Sequence, residues 1–424
     1  MPVPHPQRIV ILGAGFGGLR TALELLKRRA RLGNVSITLI DAEEAHVYSP
    51  LLYGVAMAGL DQPETEAERQ LRACVCLPYA ENPYLRRKDG RLAFRRATID
   101  GVDWQGRQVK LAGGETVPFD DLVLALGVES ASFGIPGVAE HTVKMRTLQD
   151  ALKIRRHIER ALNELKSKKR ERLDVVVVGG GPNGCEGASE LALSLRRLAR
   201  ERRIRPSQSS VTLVDASPSI LGMFRPPQRA LAQRRLRSLG VAVRTGVKIQ
   251  EVRADGVVSP AGVLPAGVVV WAAGMKPLAA IKAWGFPVDE RGCVPVDATL
   301  AVPGLEHVWA LGDAVAAKHP TTGARVPALG QAASKEAAIL AENIIRTMDR
   351  KATVPFVPPP TWNTVVPLGG AWAIADLGFA HVSGLLGYAM RKAADLMYFL
   401  SILPPRRAVS LWMRGLSGFL RMGG

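Results

Sequence analysis

The sequence has few cysteines and no long apolar run, and both shortages restrict the classes of protein to which it can belong. Its four cysteines, Cys74, Cys76, Cys185 and Cys293, form no C-x-x-C pair and lack the Cys/His spacing of a metal site. This usage indicates a reducing compartment and no resident metal. No stretch approaches the roughly 18 apolar residues that a membrane-spanning helix needs. We therefore expect a chain that does not cross a membrane.

Aromatic and acidic residues are also scarce. Aromatic residues make up 5% of the 424 residues, and 38 acidic residues stand against 56 Lys and Arg, for a formal net charge of +18. A charge of this size favours an anionic partner or surface. Because aromatic residues are few and no recognition motif is present, we expect no nucleic acid to bind. Residues 1–6 lack the charged-then-apolar pattern of a secretory signal, and we expect none.

A glycine-rich turn near the start organises the first part of the chain. Arg8–Leu12 is short, β-branched and apolar, as a buried strand is, and Gly13-x-Gly15-x-x-Gly18 then leads into helical spacing. In dinucleotide-binding proteins these glycines allow a tight turn, a close approach to a pyrophosphate, and close packing of helix on strand. The phosphates bind at the helix N-terminus. The next strand ends in Asp41, which is placed to accept hydrogen bonds from a ribose.

The same pattern occurs a second time. An apolar strand precedes Gly179-x-Gly181-x-x-Gly184, and the strand after that ends in Asp215. Two complete units predict two bound dinucleotides. Because a carboxylate repels a 2′-phosphate and no basic residue directly follows Asp215, the second unit favours NADH over NADPH.

Three further apolar strands are each followed by a glycine at which backbone can approach a cofactor. These glycines are Gly127, Gly274 and Gly312, and Gly312 is followed by Asp313. We expect Asp313 to accept hydrogen bonds from the ribityl hydroxyls of a flavin, and a helix that starts directly after it to face the flavin pyrimidine edge. The alternative is that Asp313 only caps that helix.

The segments between these motifs give coarser predictions. Residues 92–99, 109 and 119–126 predict a meander that turns at Gly113-Gly114, and residues 147–169 predict a long basic helix. Within that helix we expect Arg155-Arg156 to lie on a solvated face.

Residues 381–424 are basic and amphipathic, with six Lys and Arg against one acidic residue. Before Pro404-Pro405, one helical face carries Arg391, Lys392 and Asp395. The opposite face is apolar and contains Leu385, Leu386, Ala389, Met390, Ala393, Leu396, Met397 and Leu400. After the prolines, polar residues recur at steps of three and four (Arg407, Ser410, Arg414, Ser417 and Arg421), and Val409, Trp412, Met413, Leu416, Phe419 and Leu420 oppose them. This pattern predicts helices that lie in the interface of an anionic membrane. The alternative is a helix pair packed on the body or at a dimer interface.

Together these motifs resemble the type II, single-subunit NADH:quinone oxidoreductases, which are membrane-surface flavoproteins of the superfamily with two dinucleotide-binding domains. The resemblance rests on the two glycine turns, on the segment from His46 through Pro50 and Leu51 to Tyr53, on Glu186 and on the tail. It implies an α/β fold with two Rossmann-like domains and a C-terminal amphipathic region that anchors to the membrane. The implied FAD-binding domain has two parts, 1–147 and 286–365, the NADH-binding domain spans 148–285, and the membrane-surface region spans 366–424.

The resemblance also implies the chemistry. FAD binds in the first unit and NADH in the second, hydride passes to flavin N5, and two electrons pass to a membrane quinone without proton pumping. The implied cofactor-binding residues are Gly13, Gly15, Gly18, Asp41, His46, Pro50, Leu51, Gly127, Gly312, Asp313, Gly179, Gly181, Gly184, Asp215 and Gly274. By the same resemblance the protein is peripheral to the cytoplasmic face of the membrane, and a homodimer is a further expectation.

Three residues are candidates for catalysis by resemblance. Glu186 matches the family's glutamate beside the nicotinamide and the flavin. From the residues alone it is a carboxylate near the start of a helix, where the dipole favours it. Gln331 matches the first of two glutamines at i and i+4 that line the quinone pocket, but Lys335 stands in place of the second. Its ammonium could stabilise the anionic oxygen of a reduced quinone, or could point to solvent.

Two other functions stay open at this point. An NADH-dependent reductase of a small acidic carrier protein, such as a ferredoxin or rubredoxin, would suit the net charge but would leave the tail without a role. A flavin-binding interaction protein that responds to redox state would not need the second glycine turn or Glu186. Sulfide:quinone oxidoreduction and dithiol chemistry are disfavoured, because they need redox cysteines near the flavin.

Overall fold

The computed structural model describes residues 6–28, 30–57, 64–86 and 90–423, with the backbone path alone at 55–57, 64–67, 70–71 and 417–423. In chain order the strands are β1 (Gln7–Leu12), β2 (Val35–Asp41), β3 (Ala45–Val47), β4 (Cys76–Pro78), β5 (Leu92–Arg96), β6 (Ile99–Asp103), β7 (Gln108–Leu111), β8 (Thr116–Pro118), β9 (Asp121–Leu124), β10 (Val128–Ser130), β11 (Val143–Lys144), β12 (Leu173–Val178), β13 (Ser209–Val214), β14 (Val241–Arg244), β15 (Glu251–Arg253), β16 (Gly256–Ser259), β17 (Gly262–Pro265), β18 (Val268–Trp271), β19 (Met275–Pro277), β20 (Val308–Ala310), β21 (Thr364–Pro367), β22 (Ala373–Asp376) and β23 (His381–Gly384). The helices are α1 (Phe16–Lys27), α2 (Leu52–Met57), α3 (Glu64–Val75), α4 (Val138–His141), α5 (Leu148–Lys166), α6 (Pro182–Glu201), α7 (Pro226–Ser238), α8 (Ala279–Ala283), α9 (Gly330–Met348), α10 (Leu385–Ile402) and α11 (Pro405–Gly423). Short 3₁₀ turns occur at Ser49–Leu51, Tyr79–Glu81 and Pro206–Gln208.

The first glycine turn belongs to a five-stranded parallel sheet with strand order β20-β9-β1-β2-β5. Strands β20 and β9 and the second half of β1 are buried throughout, as strands of a parallel sheet covered by helices are, whereas the edge strand β5 is partly exposed. The chain leaves this sheet after β9 and returns to it at β20, so the sheet is assembled from two separated parts of the sequence. Helices α1 and α9 pack against each other beside it.

The second glycine turn belongs to a five-stranded parallel sheet of its own, with order β11-β18-β12-β13-β14. In both sheets the strand that precedes the turn lies between the strand that follows the helix and a strand from later in the chain. This change of direction is the crevice at which doubly wound sheets bind dinucleotides. The predicted α/β class with two Rossmann-like units is confirmed.

The predicted meander is wrong in its outer strands. β5 and β9 join the first parallel sheet, and the antiparallel meander consists of β6, β7 and β8 alone. Gly113 and Gly114 do form its second turn, and both have positive φ angles. The alternation of apolar residues could not distinguish a short strand of a parallel sheet from one of a hairpin.

The long basic helix is α5, and Thr147 caps it by accepting a hydrogen bond from the backbone N–H of Asp150. The expectation that Arg155 is solvated is wrong, because its side chain is 1% exposed and pairs with Glu159 at 3.2 Å. The last part of the chain forms a three-stranded antiparallel sheet, β21-β22-β23, against which α10 packs, followed by α11.

Candidate functional site

The first glycine turn leaves one open position between two crowded ones. Gly13 has a φ of +95° and faces the carbonyl of Ala125, and a Cβ at Gly18 would overlap the carbonyl oxygen of Gly13. A Cβ at Gly15 would meet no atom within 4 Å. Gly15 is also the N-cap of α1 and provides no side-chain cap for its first N–H groups. Free donors beside open space are what a diphosphate requires.

Asp41 reaches back from the end of β2 to the same turn. One of its carboxylate oxygens accepts the N–H of Ala14 at 2.6 Å, and the other accepts the N–H of Glu43 at 2.9 Å. These bonds fix the carboxylate beside the turn, and each oxygen keeps a further lone pair for a hydroxyl group.

The second unit repeats this arrangement closely. A Cβ at Gly184 would overlap the carbonyl of Gly179, whereas a Cβ at Gly181 would meet nothing within 4 Å. Asp215 accepts a hydrogen bond from the N–H of Gly180 and another from the N–H of Ser217 at 2.6 Å. The structure therefore contains two turns of the same design, each with a carboxylate held at its edge.

Gly274 lies in a different environment from the other glycines. It has a φ of +68°, and a Cβ there would overlap the ring of Phe133, which is itself 67% exposed. The neighbouring indole of Trp271 donates a hydrogen bond to the carbonyl of Ala131 at 2.8 Å. Gly274 therefore seats an aromatic side chain at the crossing between the two units.

Gly312 and Asp313 line a cavity of about 320 Å³ together with Glu336 of α9. The N–H of Gly312 donates to a carboxylate oxygen of Glu336 at 2.7 Å. Burial raises the pKa of Glu336 to about 7, and this rise is opposed by that hydrogen bond and assisted by the charge of Asp313. Burial also raises the pKa of Asp313, and the charge of Arg146 opposes the rise.

The helix that was expected directly after Asp313 is absent. Val315 instead pairs in parallel with Val294, and Val294 exchanges hydrogen bonds with the carbonyl of Ala314 and the N–H of Ala316. Because the carbonyl of Ala314 and the N–H of Ala316 are bonded to Val294, they are not available for the first hydrogen bonds of a helix. The helix whose N-terminus follows is α9, which begins at Gly330.

His46 and the segment after it lie between the first glycine turn and α10. The ring of His46 is buried, and its Nε2 lies 2.6 Å from the hydroxyl of Tyr398 in α10. Burial lowers the pKa of His46 to about 4, against a hydrogen bond with the backbone of Ala14, so the ring is neutral at neutral pH. The carbonyl of Pro50 accepts a hydrogen bond from Arg391 at 2.9 Å, and Leu51 is buried.

Glu186 lies on α6, two residues after Gly184 and four residues after the start of the helix at Pro182. Burial raises its pKa to about 8; the charges of Glu190 and Asp395 raise it further, while those of Arg391 and Lys392 oppose the rise. Glu186 is therefore largely protonated at neutral pH. It lies between the second unit and the charged face of α10.

The charged face of α10 is the part of the site that sequence reasoning missed. Asp395 accepts a hydrogen bond from the hydroxyl of Tyr48 at 2.7 Å, and it pairs with Arg391 at 3.1 Å and with Lys392 at 3.5 Å. Asp395 is 2% exposed. One signal was available, because Asp395 is the only acidic residue of the tail and follows two cations on the same face.

The apolar face of α10 points outward. Leu385, Leu386 and Met397 are 70%, 63% and 71% exposed. On α11, Val409 and Met413 are also exposed, while Ala408 and Leu411 are buried. The predicted positions Ser417, Phe419, Leu420 and Arg421 lie outside the described side chains. Among the described residues, no helix has the length and apolar character needed to span a bilayer.

Gln331 and Lys335 lie one turn apart on the exposed side of α9. The amide of Gln331 donates a hydrogen bond to the carbonyl of Asn363 at 2.7 Å. The buried carboxyl of Glu336 lies on the inner side of the same helix. Within the described part of the chain, neither Gln331 nor Lys335 bonds to Glu186.

Comparison with known proteins agrees with this geometry. The model of the pyridine nucleotide-disulphide oxidoreductase family matches residues 7–337. The chain belongs to this family. The type II NADH:quinone oxidoreductase NdhA of Mycobacterium tuberculosis is 32% identical over 326 residues, which cover 72% of this chain and 66% of that protein. The demethylphylloquinone reductase NdbB of Synechocystis sp. is 28% identical over 394 residues, 89% of this chain and 87% of that protein.

A solved structure shows the same fold over nearly the whole chain. The structure of NDH2 from Plasmodium falciparum in complex with NADH superposes with a TM-score of 0.82 and 18% identity, covering 97% of this chain and 98% of the other. The resemblance to type II NADH:quinone oxidoreductases that the sequence indicated is confirmed.

The pyridine nucleotide-disulphide oxidoreductase family is partly named after disulphide chemistry, but the described structure of this chain contains no disulphide. All four cysteines are free. The thiol of Cys185 is buried beneath the second turn, where it contacts the carbonyl of Gly180 at 3.4 Å, and burial raises its pKa. Cys293 lies 32 residues from Arg325, whose guanidinium contacts its sulfur at 2.7 Å. A thiol in either place has no second thiol beside it with which to exchange.

Proposed function

We propose that this chain is an FAD-dependent NADH:quinone oxidoreductase that works at a membrane surface without pumping protons. One observation carries the proposal: the charged face of α10 bonds to Tyr48 of the first unit and acts electrostatically on Glu186 of the second, and its apolar face is exposed. A single helix thereby joins the site of electron transfer to the surface from which a lipid-soluble acceptor would arrive. The names of the relatives support the same reaction.

The second unit binds NADH in this proposal. The turn Gly179-x-Gly181-x-x-Gly184 receives the diphosphate at the N-terminus of α6. Asp215, held by two backbone N–H groups, accepts hydrogen bonds from the adenosine ribose. Ala216 and Ser217 follow it, so the residues directly after Asp215 provide no cation to neutralise a 2′-phosphate.

The first unit binds FAD, and the residues present fit it. Gly15 leaves open space before the uncapped start of α1, and Asp41 is fixed beside it for the adenosine ribose. Gly127 and Gly312 present backbone further along the groove, and Asp313 presents a carboxylate. Bound FAD supplies the ring that accepts hydride at N5 and releases two electrons to the quinone.

Glu186 holds a proton between the two units. Because its pKa is raised to about 8, its carboxyl group can donate a hydrogen bond at neutral pH. Reduction of a quinone to a quinol consumes two protons, and a protonated carboxyl near the reacting rings is a source of one. Arg391 and Lys392 oppose the rise in pKa and so keep this proton available for release.

The acceptor site lies, in our proposal, along the exposed side of α9. Gln331 offers an amide that can bond a neutral quinone carbonyl, and Lys335 offers an ammonium that can bond the anionic oxygen of a reduced quinone. The relatives differ in the quinone that their names state, and quinone is the acceptor class that they share.

The membrane partner is an anionic surface bound through residues 381–424. The exposed apolar residues of α10 supply buried area, and the exposed Arg406, Arg407 and Arg414 supply charge. Each basic residue near an anionic leaflet contributes about 1 kcal/mol. We further propose that the protein binds the cytoplasmic face of the membrane. We also propose that the chain divides into the four units 1–147, 148–285, 286–365 and 366–424. A homodimer is part of the same proposal.

An anaerobic absorbance experiment tests the proposed function. The purified protein, reconstituted with FAD, is mixed with NADH, and then with a soluble quinone, ferricyanide or an oxidised carrier protein such as ferredoxin. We expect the flavin bands to bleach with NADH and to return with quinone. Return with ferredoxin and not with quinone would replace the proposal with the carrier reductase. Bound flavin that NADH does not bleach would leave only a flavin-binding interaction protein.

A further inference from the structure

Arg146 is a half-buried cation at the first nucleotide unit. It lies between β11 and the N-cap of α5, where its backbone N–H donates to Asp150 at 3.1 Å. Its side chain runs to the glycine that follows β9. A Cβ at Gly127 would lie 3.9 Å from a terminal nitrogen of the guanidinium.

The guanidinium is surrounded by carboxylates that do not bind it directly. Asp313, Glu129 and Asp150 are the charged groups that act on it. Within the described part of the chain, none of them forms a hydrogen bond or a close ion pair with its side chain. Burial lowers the pKa of Arg146, so the surroundings hold a charge that they solvate incompletely. A half-buried guanidinium without a direct partner indicates an anionic ligand.

The strand order tells which part of FAD reaches this position. Asp41 follows β2 on one side of β1, and Gly127 and Asp313 follow β9 and β20 on the other side. The diphosphate of a dinucleotide crosses the crevice at the end of β1, with the adenosine ribose at the carboxylate after β2. The remaining half of FAD, its ribityl chain and flavin ring, therefore extends over β9 and β20. Arg146 lies on that half.

We propose that Arg146 binds the flavin end of FAD and stabilises the negative charge that the ring gains on reduction. This inference rests on the proposed function, because it requires FAD in the first unit. Hydride from NADH brings two electrons and one proton, so NADH leaves as NAD⁺ and the ring keeps one negative charge. A guanidinium at the pyrimidine side favours that charged form over the neutral oxidised form and raises the reduction potential. The charge of Asp313 offsets that of Arg146 while the ring is oxidised and neutral.

The test compares Arg146→Gln with Arg146→Lys and with Lys144→Gln, an exposed charge on β11 two residues away. Each holoprotein is titrated anaerobically against a redox dye, and each apoprotein is titrated with FAD. We expect Arg146→Gln to weaken binding of reduced flavin at least tenfold more than binding of oxidised flavin. Each factor of ten lowers the midpoint potential by about 30 mV for a two-electron couple. Arg146→Lys should restore most of the potential, and Lys144→Gln should leave it unchanged.

Two results would overturn the inference. An equal loss of affinity for both redox states would assign the cation to the diphosphate. An unchanged potential and an unchanged affinity in a variant with wild-type circular dichroism would make Arg146 a structural residue. Neither result touches the proposed function, which fails separately if the wild-type apoprotein takes up no FAD.

Discussion

The phenol of Tyr48 donates a hydrogen bond of 2.7 Å to a carboxylate of Asp395, 347 positions later in the chain. The rings of Tyr48 and Tyr398 also stack, with centroids 5.1 Å apart. Tyr48 precedes the predicted flavin-binding Pro50, so the tail helix is fixed directly to a wall of the first unit. The tail and the nucleotide site therefore form one continuous structure.

Removing the hydroxyl of Tyr48 should weaken this attachment. In Tyr48→Phe, the buried Asp395 loses one of its partners, and we expect a loss of about 1–3 kcal/mol in the free energy of unfolding. Thermal and urea unfolding of the FAD-loaded protein measure it. The matched control is Tyr84→Phe, since the hydroxyl of Tyr84 makes no hydrogen bond in the described part of the chain. Equal stability of the two variants would show that the bond contributes nothing.

Glu186 should give the protein a specific dependence on pH. Its pKa is about 8 in the folded state, against an ordinary value of 4.5, so the folded state binds this proton more tightly than the unfolded state. The stability that the group contributes is fully present below about 4.5 and is lost as pH rises through about 8. Glu186→Gln should remove that part of the decline, whereas Glu140→Gln, an exposed carboxyl on α4, should not. Urea unfolding across this range is the measurement, and parallel curves for wild type and Glu186→Gln would contradict the shift.

Two glycines of the first turn should respond differently to an added methyl group. Gly15→Ala places its Cβ in open space, so the protein should fold normally but bind FAD roughly ten times more weakly or worse. Gly18→Ala forces the helix away from the carbonyl of Gly13 and should cost about 1–3 kcal/mol or more of stability. Fluorescence titration with FAD and thermal unfolding separate the two effects. Wild-type FAD affinity in Gly15→Ala would exclude this turn as the diphosphate site.

The outer face of α10 should govern vesicle binding. Leu386 and Met397 are mostly exposed, so Leu386→Gln and Met397→Gln should leave stability unchanged. Each should weaken binding to anionic vesicles roughly tenfold, for about 1.5 kcal/mol of lost burial. The control is Val263→Gln on β17, which is 49% exposed. Deletion of 381–424 is a poorer test, because it also removes Asp395 from Tyr48. Unchanged vesicle affinity in both variants would exclude this face as the membrane contact.

Lys335 should act on the acceptor half of the reaction. Lys335→Gln restores the amide that the family resemblance led us to expect, and it should change the rate of flavin reoxidation by quinone more than the rate of flavin reduction by NADH. Stopped-flow measurement of each half-reaction tests this, with Lys110→Gln on β7 as a control for charge. Equal effects on both half-reactions would remove Lys335 from the acceptor site.

The two glycine turns could be predicted from sequence because their geometry is local. The requirement that Gly13 and Gly18 lack a Cβ arises from atoms within a few residues of the turn and from the adjacent strand. The same is true of Asp41 and Asp215, which end the strands after each turn and bond back to it. The spacing of these residues in the sequence was therefore enough to predict the geometry of both turns.

The charged cluster on α10 could not be predicted because its partners are distant in sequence. Periodicity separated Arg391, Lys392 and Asp395 from the apolar face correctly, but it does not say which face points inward. That choice depends on Tyr48 and Glu186, which come from the two other units. Arg155 shows the same limit, since a buried ion pair and a solvated cation have the same sequence pattern.

Because α10 turns its charges inward, the folded protein exposes apolar side chains to water when no lipid is present. In detergent-free buffer these apolar surfaces should associate, so the purified protein should sediment as oligomers that dissociate when nanodiscs or micelles are added. The colour of the flavin should persist through that dissociation.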